Sequence, residues 1–208
     1  MARPRVVILS AGASRRLGQP KALAQLPGGQ PLFRLIRAAT QATGVAPIVV
    51  TGAHHGKIAE ALSTTPDAAH ALVCYNPNWA NGRTGSLICA AELAGPHDVC
   101  VLPVDHPRIG TELLDALFEE WERKASPANG WLAPASGDPP KPGHPIVIGR
   151  DLIASLLAQK ETWQGLPLSQ LRAQAAPLWM LPTDDATIHE NLDRPSDLEA
   201  LRAIDTPR

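Results

Sequence analysis

The sequence is poor in cysteine, in net charge and in long apolar runs, and each shortage argues against a class of function. Three cysteines occur among 208 residues and no two form a CxxC pair, which argues against a functional thiol. The formal charge of −1 gives no reason to expect a general nucleic-acid or membrane binder. No apolar stretch approaches transmembrane length, and the first one is too short for a signal peptide. We therefore expect a cytoplasmic protein whose Cys74, Cys89 and Cys100 are reduced core residues.

Short apolar runs alternate along the chain with segments of helical periodicity. A length of 208 residues with 44% apolar residues suits a single domain spanning 1–208 with a substantial core. The alternation predicts an α/β fold with three layers and a mostly parallel central sheet. The predicted strands are 6–9, 47–51, 71–75, 99–104, 131–133, 146–148 and 178–181. The predicted helices are 31–43, 57–62, 84–93, 111–124, 151–157, 168–175 and a last helix from residue 196.

Local signals refine some of these boundaries. Thr111 is placed to cap its helix, and Ser196 with Glu199 three residues later has the pattern of a capping box. Asp197, in the first turn of the last helix, is expected to stabilise that helix. The segment 136–143 is rich in proline and glycine and is predicted to be a loop. Ligands bind at the carboxyl ends of parallel strands, so the loops after the first, third and fourth predicted strands are the candidate sites.

The loop after the first strand combines a glycine with clustered positive charge. Gly12 lets the backbone turn and lets a ligand approach closely, and successive backbone N–H groups in such a loop form a nest for anions. It is followed by Ser14, Arg15, Arg16, Gly18 and Lys21. Arginine donates in pairs to phosphate oxygens, so the loop fits a triphosphate. The spacing is neither GxGxxG nor that of a P-loop, and the alternative is a basic surface loop that only connects two elements.

Amide, hydroxyl and glycine residues concentrate between residues 76 and 87, after the third strand. Such groups can hydrogen-bond the edges of a small planar ring, and Asn81, Gly82 and Ser86 are the candidates to bind a base. The alternative is a helix N-cap with a turn, which favours the same residue types.

One carboxylate, Asp105, follows the fourth strand beside the expected triphosphate loop. Mg²⁺ prefers one or two carboxylates together with phosphate oxygens and water, so Asp105 is a predicted metal ligand. The adjacent His106 is more often structural in such a place, and we assign it no catalytic role.

The first loop resembles the signature Leu-x-x-Gly-x-x-x-Arg-[Met/Leu]-Gly-x-x-Lys of MobA-like nucleotidyltransferases, above all the molybdenum cofactor cytidylyltransferases. The resemblance implies a Rossmann-like fold of the glycosyltransferase-A, or nucleotide-diphospho-sugar transferase, type. It also implies nucleotidyl transfer from a nucleoside triphosphate with release of pyrophosphate. Arg16, Lys21 and Asp105 would then be catalytic. The nucleotide-binding residues of the loop would be Leu9, Ala11, Gly12, Ser14, Arg16 and Lys21.

Three later segments are similar to family segments in the same order. Residues 76–87 follow Asn-Pro-x-Trp-x-x-Gly-x-x-x-Ser-Leu, which lies against base and ribose, and residues 103–107 follow Pro-x-Asp-Gln-Pro except at His106. Residues 191–197 resemble Asp-x-Asp-Thr-Pro-x-Asp, with departures at Asn191 and Arg194, which implies that Asp193 is the second metal ligand. Residues 143–145 resemble a Gly-His-Pro segment on the acceptor side. There His144 would bind the acceptor or, alternatively, belong to a turn that starts a strand.

The same resemblance indicates the substrates. Ala11 matches the Leu-Ala-Ala-Gly of cytidylyl enzymes rather than the Leu-Ala-Gly-Gly of guanylyl enzymes, although Ser10 matches neither, so CTP is expected, with Mg²⁺ as the metal. The implied acceptor is molybdopterin, whose terminal phosphate attacks the α-phosphorus without a general base. The nucleotide would bind within about residues 1–108 and the acceptor within about 109–208. A molybdoenzyme is the candidate protein partner, and neither nucleic acid nor a membrane is expected.

Three other functions remain as alternatives. A nucleotidyltransferase for a sugar 1-phosphate or another small phosphate would use the same chemistry. A binding protein that delivers the nucleotide-modified cofactor to a molybdoenzyme is a second alternative, although Asp105 and Lys21 favour an enzyme. A nicotinamide-dependent oxidoreductase is disfavoured, because GxGxxG is absent and residues 51–54 offer no acid after the second strand.

Overall fold

The computed structural model describes residues 2–68 and 71–205, so residues 1, 69–70 and 206–208 of the predicted domain lie outside it. Strands and helices alternate as expected up to residue 123, after which three strands, three helices, one strand and one helix follow. The strands are β1 (Arg5–Ser10), β2 (Ile48–Thr51), β3 (Leu72–Tyr75), β4 (Val99–Pro103), β5 (Trp131–Ser136), β6 (Lys141–Pro142), β7 (Ile146–Ile148) and β8 (Leu178–Pro182). The helices are α1 (Pro31–Thr43), α2 (His55–Thr64), α3 (Arg83–Ala94), α4 (Thr111–Arg123), α5 (Arg150–Ala158), α6 (Lys160–Trp163), α7 (Leu168–Ala173) and α8 (Pro195–Asp205).

The strands form one mixed sheet. β3, β2, β1 and β4 lie side by side in parallel, and β7 joins β4 in the antiparallel direction. Trp131 of β5 pairs with Ile148 of β7 and with Leu178 of the parallel β8, so these two strands lie on opposite sides of β5. The carboxyl ends of β1 to β4 therefore share one edge of the sheet, and the three candidate loops leave from it.

Alternate residues of the central strands face two separate apolar layers. Val6 and Ile8 of β1 pack with residues of α1, α2 and α4, whereas Val7 and Leu9 pack with residues of α3 and α5. These four side chains are at most 9% exposed, because helices cover both faces of the strand. The predicted three-layer α/β fold with a mostly parallel sheet is confirmed.

A smaller apolar cluster joins the first loop to α8. We call it the loop–α8 cluster, and none of its side chains is more than 6% exposed. Its members are Leu17, Ala24, Leu26, Leu192, Leu198 and Leu201. Burial of these aliphatic groups holds the segment before α8 against the first loop, although the two are far apart in the sequence.

The segment 136–143, predicted to be a loop, contains a short strand. Lys141 and Pro142 form β6 and pair with Ser136 and Ala135 at the end of β5. Proline has no backbone N–H to donate, but a strand of two residues needs few such donors, so Pro142 is tolerated in β6. No sequence signal indicated α6, and α7 ends two residues earlier than predicted.

Both predicted helix caps are wrong. The residue that caps α4 is Gly110, and Thr111 is already inside the helix. α8 begins one residue earlier than predicted, so Ser196 lies inside the helix, where its hydroxyl donates to Asp197 Oδ1 at 3.5 Å. Instead Asp197 Oδ2 accepts the backbone N–H groups of Asp193 and Arg194, each at 2.8 Å. An acid in the first turn can reach back in this way to unpaired N–H groups, so Asp197 stabilises the start of α8 as expected.

The cysteines are less buried than predicted. Cys100 is buried, but Cys74 and Cys89 are only half-buried, and all three are free thiols. Burial raises the pKa of Cys74 to about 12 and also raises the pKa of Cys89 and of Cys100. All three therefore stay protonated near neutral pH, where a thiol is a poor nucleophile. Across residues 2–68 and 71–205, no helix combines the length and the apolar character needed to cross a membrane.

Candidate active site

A cavity of about 280 Å³ lies where β1 and β4 end. Its wall comes from the first loop, the segment after β3, the end of β4 and the segment before α8. The predicted site residues that line it are Leu9, Ala11, Gly12, Ser14, Arg16, Lys21, Gly82, Ser86, Asp105 and Asp193. Two predicted site residues lie elsewhere: His144 lines a second cavity, and Asn81 is exposed outside both walls.

The first loop takes its shape from Ser14 and Gly18 rather than from Gly12. Ser14 and Gly18 have φ angles of 51° and 76°, and the Ser14 carbonyl oxygen accepts the N–H groups of Leu17 and Gly18 at 3.1 Å. The Ser14 hydroxyl also accepts the N–H of Lys21 at 3.2 Å. Gly12 does not use the left-handed region that glycine favours, but a Cβ added to it would meet no atom within 4 Å. The space beside Gly12 is therefore open to a ligand.

Lys21 stands between the two carboxylates expected to bind metal. Its ammonium donates to Asp105 Oδ2 at 3.3 Å and also donates to Asp193 Oδ1. Asp193 Oδ2 accepts a further hydrogen bond from Arg16 Nη2 at 2.9 Å. The hydrogen bond from Lys21, helped by the positive charges of Lys21 and Arg16, lowers the pKa of Asp193. We call Lys21, Asp105 and Asp193 the lysine–carboxylate cluster.

The two carboxylates of the lysine–carboxylate cluster could together hold a divalent metal ion. One ammonium contacts an oxygen of each carboxylate, so a single small cation can also reach both Asp105 and Asp193. Within residues 2–68 and 71–205, no group of three or more His, Cys, Asp or Glu side chains could hold a metal. Two carboxylates without further protein ligands suit Mg²⁺, which completes its shell with phosphate oxygens and water.

Trp79 and Ser86 form another part of the wall of the first cavity. Ser86 Oγ accepts a hydrogen bond from the buried Asn76 Nδ2 at 3.0 Å, so the Ser86 hydroxyl hydrogen can be donated to a ligand. A Cβ added to Gly52 would lie 2.5 Å from the Ala11 carbonyl oxygen and 2.6 Å from Trp79 Cβ. Glycine at position 52 therefore lets the Trp79 indole pack beside Ala11. The sequence had singled out neither Trp79 nor Gly52 as a site residue.

A second cavity, of about 540 Å³, adjoins the first and shares Gly82 and Arg83 with it. Apolar groups such as Trp131 form much of its wall, and Arg83, Arg172 and His144 supply polar groups. Among the described residues that line it there is no aspartate or glutamate. The cavity thus suits a ligand with an apolar or flat body and negative charge.

His144 packs on His106 edge to face, with ring centroids 4.9 Å apart. Burial, together with the nearby His106 and Arg83, lowers the pKa of His144 to about 4. Burial also lowers the pKa of His106, against the opposing effect of Asp105. Both rings are therefore uncharged near neutral pH, and their buried Nδ1 atoms have no hydrogen-bond partner within the described part of the chain. His144 offers the second cavity hydrogen bonding rather than charge.

Arg83 is the main residue of the site that the sequence did not reveal. It begins α3, lines both cavities and places Nη2 3.9 Å from Asp105 Oδ2. In the sequence it resembles an ordinary charge at an exposed helix start, and only tertiary packing brings it to Asp105. Its place directly after Gly82 was the one signal that could have indicated it.

The chain also matches a known protein family. The family described as MobA-like NTP transferase domain has a model that matches residues 6–177, well over half of the chain. No curated protein matches the chain.

Solved structures share the fold over almost the whole chain. Rv0371c from Mycobacterium tuberculosis H37Rv aligns with a TM-score of 0.75 at 20% identity, covering 97% of this chain and 99% of that one. In complex with manganese, the same protein aligns with a TM-score of 0.71 at 20% identity, with the same coverage of 97% and 99%.

Two further solved structures share the fold with slightly lower TM-scores. Molybdopterin-guanine dinucleotide biosynthesis protein A from Archaeoglobus fulgidus has a TM-score of 0.68 at 20% identity, with 96% and 97% of the two chains covered. The 2-C-methyl-D-erythritol 4-phosphate cytidylyltransferase from Thermus thermophilus has a TM-score of 0.70 at 18% identity, with 98% of each chain covered. At such identities the likeness shows the fold, which is the expected nucleotide-diphospho-sugar transferase type.

Proposed function

The chain belongs to the MobA-like NTP transferase family, and from this premise we propose that it transfers the cytidylyl group of CTP to the terminal phosphate of molybdopterin. The chain is a nucleotidyltransferase by family and by fold. The identities of the base, the acceptor and the metal ion are our proposal. The observation that carries it is the first cavity, where the cation-rich loop meets two carboxylates at the edge of the sheet.

In the proposed reaction an oxygen of the acceptor phosphate attacks the α-phosphorus of CTP and pyrophosphate leaves. A phosphate monoester has a second pKa of about 6, so the attacking group is already ionised and needs no general base. Arg16 and Lys21 neutralise charge on the departing pyrophosphate, and Lys21 exchanges its carboxylate partners for phosphate oxygens to do so.

Asp105 and Asp193 are proposed to hold Mg²⁺. An ion bound there would neutralise negative charge on the phosphate oxygens. The manganese complex of Rv0371c supports a divalent ion in this fold. The magnesium assignment rests on the two carboxylates and on the phosphate-rich ligand expected beside them.

Cytosine is the proposed base because Ala11 narrows the cavity beside Trp79. Ala11 is only 6% exposed, and its methyl group stands where the guanylyl pattern has glycine. A purine would meet that methyl group, whereas a smaller pyrimidine would not. Ser86 is the stronger candidate for a base contact, since it lines the first cavity and Asn81 does not.

The second cavity is proposed to bind the acceptor. Its apolar wall suits a pterin ring system, neutral His144 offers a hydrogen bond, and Arg172 can pair with negative charge. This arrangement supports the division near residue 108 with four exceptions. Asp193 lines the nucleotide cavity, and Gly82, Arg83 and Thr84 line the second cavity. A related phosphate acceptor is the alternative, because the Thermus thermophilus relative is a cytidylyltransferase for a sugar-alcohol phosphate.

Pyrophosphate release tests the function directly. We expect release from CTP only when both molybdopterin and Mg²⁺ are present, with at least about tenfold lower kcat/KM for GTP and ATP. Asp105→Asn should reduce kcat by at least about 100-fold, because it weakens the negative site that binds the metal. The matched control is Asp184→Asn, an exposed acid outside both cavities, which should retain wild-type turnover.

Different results would contradict the proposed base, the proposed acceptor and the proposed enzymatic activity. Equal use of GTP would refute the base assignment, and release that depends on a sugar phosphate but not on molybdopterin would replace the acceptor. Binding of molybdopterin without consumption of any nucleotide would favour a delivery protein over an enzyme.

A further inference from the structure

The proposed reaction brings two anions together where the two cavities join, and Arg172, the other arginine of the second cavity, does not line the first. Arg16 and Lys21 line the nucleotide cavity alone, beside the proposed position of the departing pyrophosphate. The attacking phosphate must enter from the second cavity and approach an α-phosphate that is itself negative. Repulsion between two such groups at bonding distance is strong unless a cation offsets it.

Arg83 stands where the two cavities join. It and Gly82 are the residues common to both walls, and Gly82, at a φ of 114°, turns the chain into α3 so that Arg83 begins the helix. Arg83 Nη2 lies 3.9 Å from Asp105 Oδ2, the oxygen that Lys21 also contacts. The guanidinium is thus anchored near the proposed metal ligand, while the side chain remains 64% exposed to what fills the cavities.

We propose that Arg83 binds the attacking phosphate of the acceptor and holds it beside the α-phosphate of the nucleotide. This inference rests on the proposed function. An acceptor phosphate oxygen forms a bond to the α-phosphorus while the bond from that phosphorus to the oxygen bridging to the β-phosphate breaks. The electron pair leaves with pyrophosphate and no proton is transferred. Arginine suits this position because it stays protonated and offers paired donors to two oxygens of one phosphate.

The neighbouring groups favour this assignment. No acidic side chain among the described residues lines the second cavity to compete for Arg83, and His144 beside it is uncharged. The ion pair with Asp105, at 3.9 Å, is longer than a hydrogen bond, so the guanidinium retains donors for a ligand. Arg83 is therefore a catalytic residue that binds the attacking phosphate, whereas Arg16 and Lys21 bind the departing pyrophosphate.

Arg83→Met tests the inference, with Arg83→Lys as the conservative variant and Arg37→Met, an exposed arginine of α1, as control. For Arg83→Met we expect kcat for pyrophosphate release to fall about 100-fold, and KM for molybdopterin to rise about tenfold. The dissociation constant for Mg·CTP, measured by calorimetry, should change less than about twofold. Arg83→Lys should recover part of kcat, and Arg37→Met should match the wild type.

Binding of molybdopterin without CTP, followed by pterin fluorescence, separates this inference from the proposed function. If the wild type turns over and Arg83→Met keeps its kcat and its molybdopterin KM, Arg83 does not hold the acceptor. If Arg83→Met weakens Mg·CTP binding as strongly as acceptor binding, the residue belongs to the nucleotide site instead. If the wild type binds molybdopterin through Arg83 but does not turn over, the proposed reaction fails and the acceptor site stands.

Discussion

Replacing Lys21 by methionine removes the cation that holds Asp105 and Asp193 together. The three side chains are 15%, 12% and 27% exposed, so water screens them only in part. Without the ammonium, two carboxylates that now share it would face each other with Arg16 and Arg83 as their remaining cationic neighbours. We expect Lys21→Met to lose stability as well as activity.

The size of the loss follows from the geometry. At 3.3 Å and an effective dielectric constant of about 20, the Lys21–Asp105 attraction is about 5 kcal/mol before desolvation is subtracted. Desolvation of partly buried charges offsets much of this attraction, so we expect a net loss of about 2 kcal/mol. Asp193→Asn in the same chain removes one of the two repelling charges, and should restore about 1 kcal/mol of the loss.

Urea unfolding at pH 7 measures these differences in free energy. Four proteins are compared: wild type, Lys21→Met, Asp193→Asn and the double variant, with the exposed Lys57→Met of α2 as control. The double variant should be more stable than the sum of the two single losses implies, because the residues interact. Additive losses, or a Lys21→Met protein as stable as Lys57→Met, would refute the contact between Lys21 and the carboxylates.

Two further outcomes follow from the site. Gly52→Ala should cost about 1–3 kcal/mol in urea unfolding and weaken Mg·CTP binding in calorimetry, because its Cβ would lie within 2.6 Å of Ala11 O and Trp79 Cβ. Gly56→Ala, with open space at its Cβ, is the control, and an equal loss there would contradict the packing argument. The lowered pKa of Asp193 predicts acid sensitivity: its stabilisation is complete above the unfolded value near 3.8 and is lost as pH falls through the lower folded value. Between about pH 6 and pH 3 the stability advantage of wild type over Asp193→Asn should shrink, and a constant gap would contradict the pKa argument.

The fold followed from the sequence because its signals are local. A strand covered on both faces has a continuous apolar sequence, such as Val6 to Leu9 of β1. The apolar stripe of Leu114, Leu117 and Trp121 has the helical period and indicates α4. Caps were less predictable, because a capping hydrogen bond depends on where the first helical turn begins. A shift of one residue at α8 moved that role to Asp197.

The site was predictable where residue type alone carries the chemistry. Gly12, Lys21 and Asp105 were predicted because a glycine, a cation and a carboxylate after parallel strands point to a phosphate and a metal, and all three line the first cavity. The second cavity and Arg83 were not, because they arise from packing between elements with no common sequence signal. Asn81 was predicted from its residue type but is exposed and does not line the first cavity. A residue type that suits a base does not determine where the side chain lies.

The loop–α8 cluster has a consequence for the order of folding. The hydrogen bond from Arg16 to Asp193 joins residues 177 positions apart, and closing so long a segment carries a large entropy cost before any contact repays it. The sheet can form from nearer partners, since β1, β2 and β3 are sequential neighbours. We therefore expect the first loop to acquire its final geometry late, when Leu192, Leu198 and Leu201 close over Leu17. A folding chain would gain its sheet before it gained the ability to bind a nucleotide.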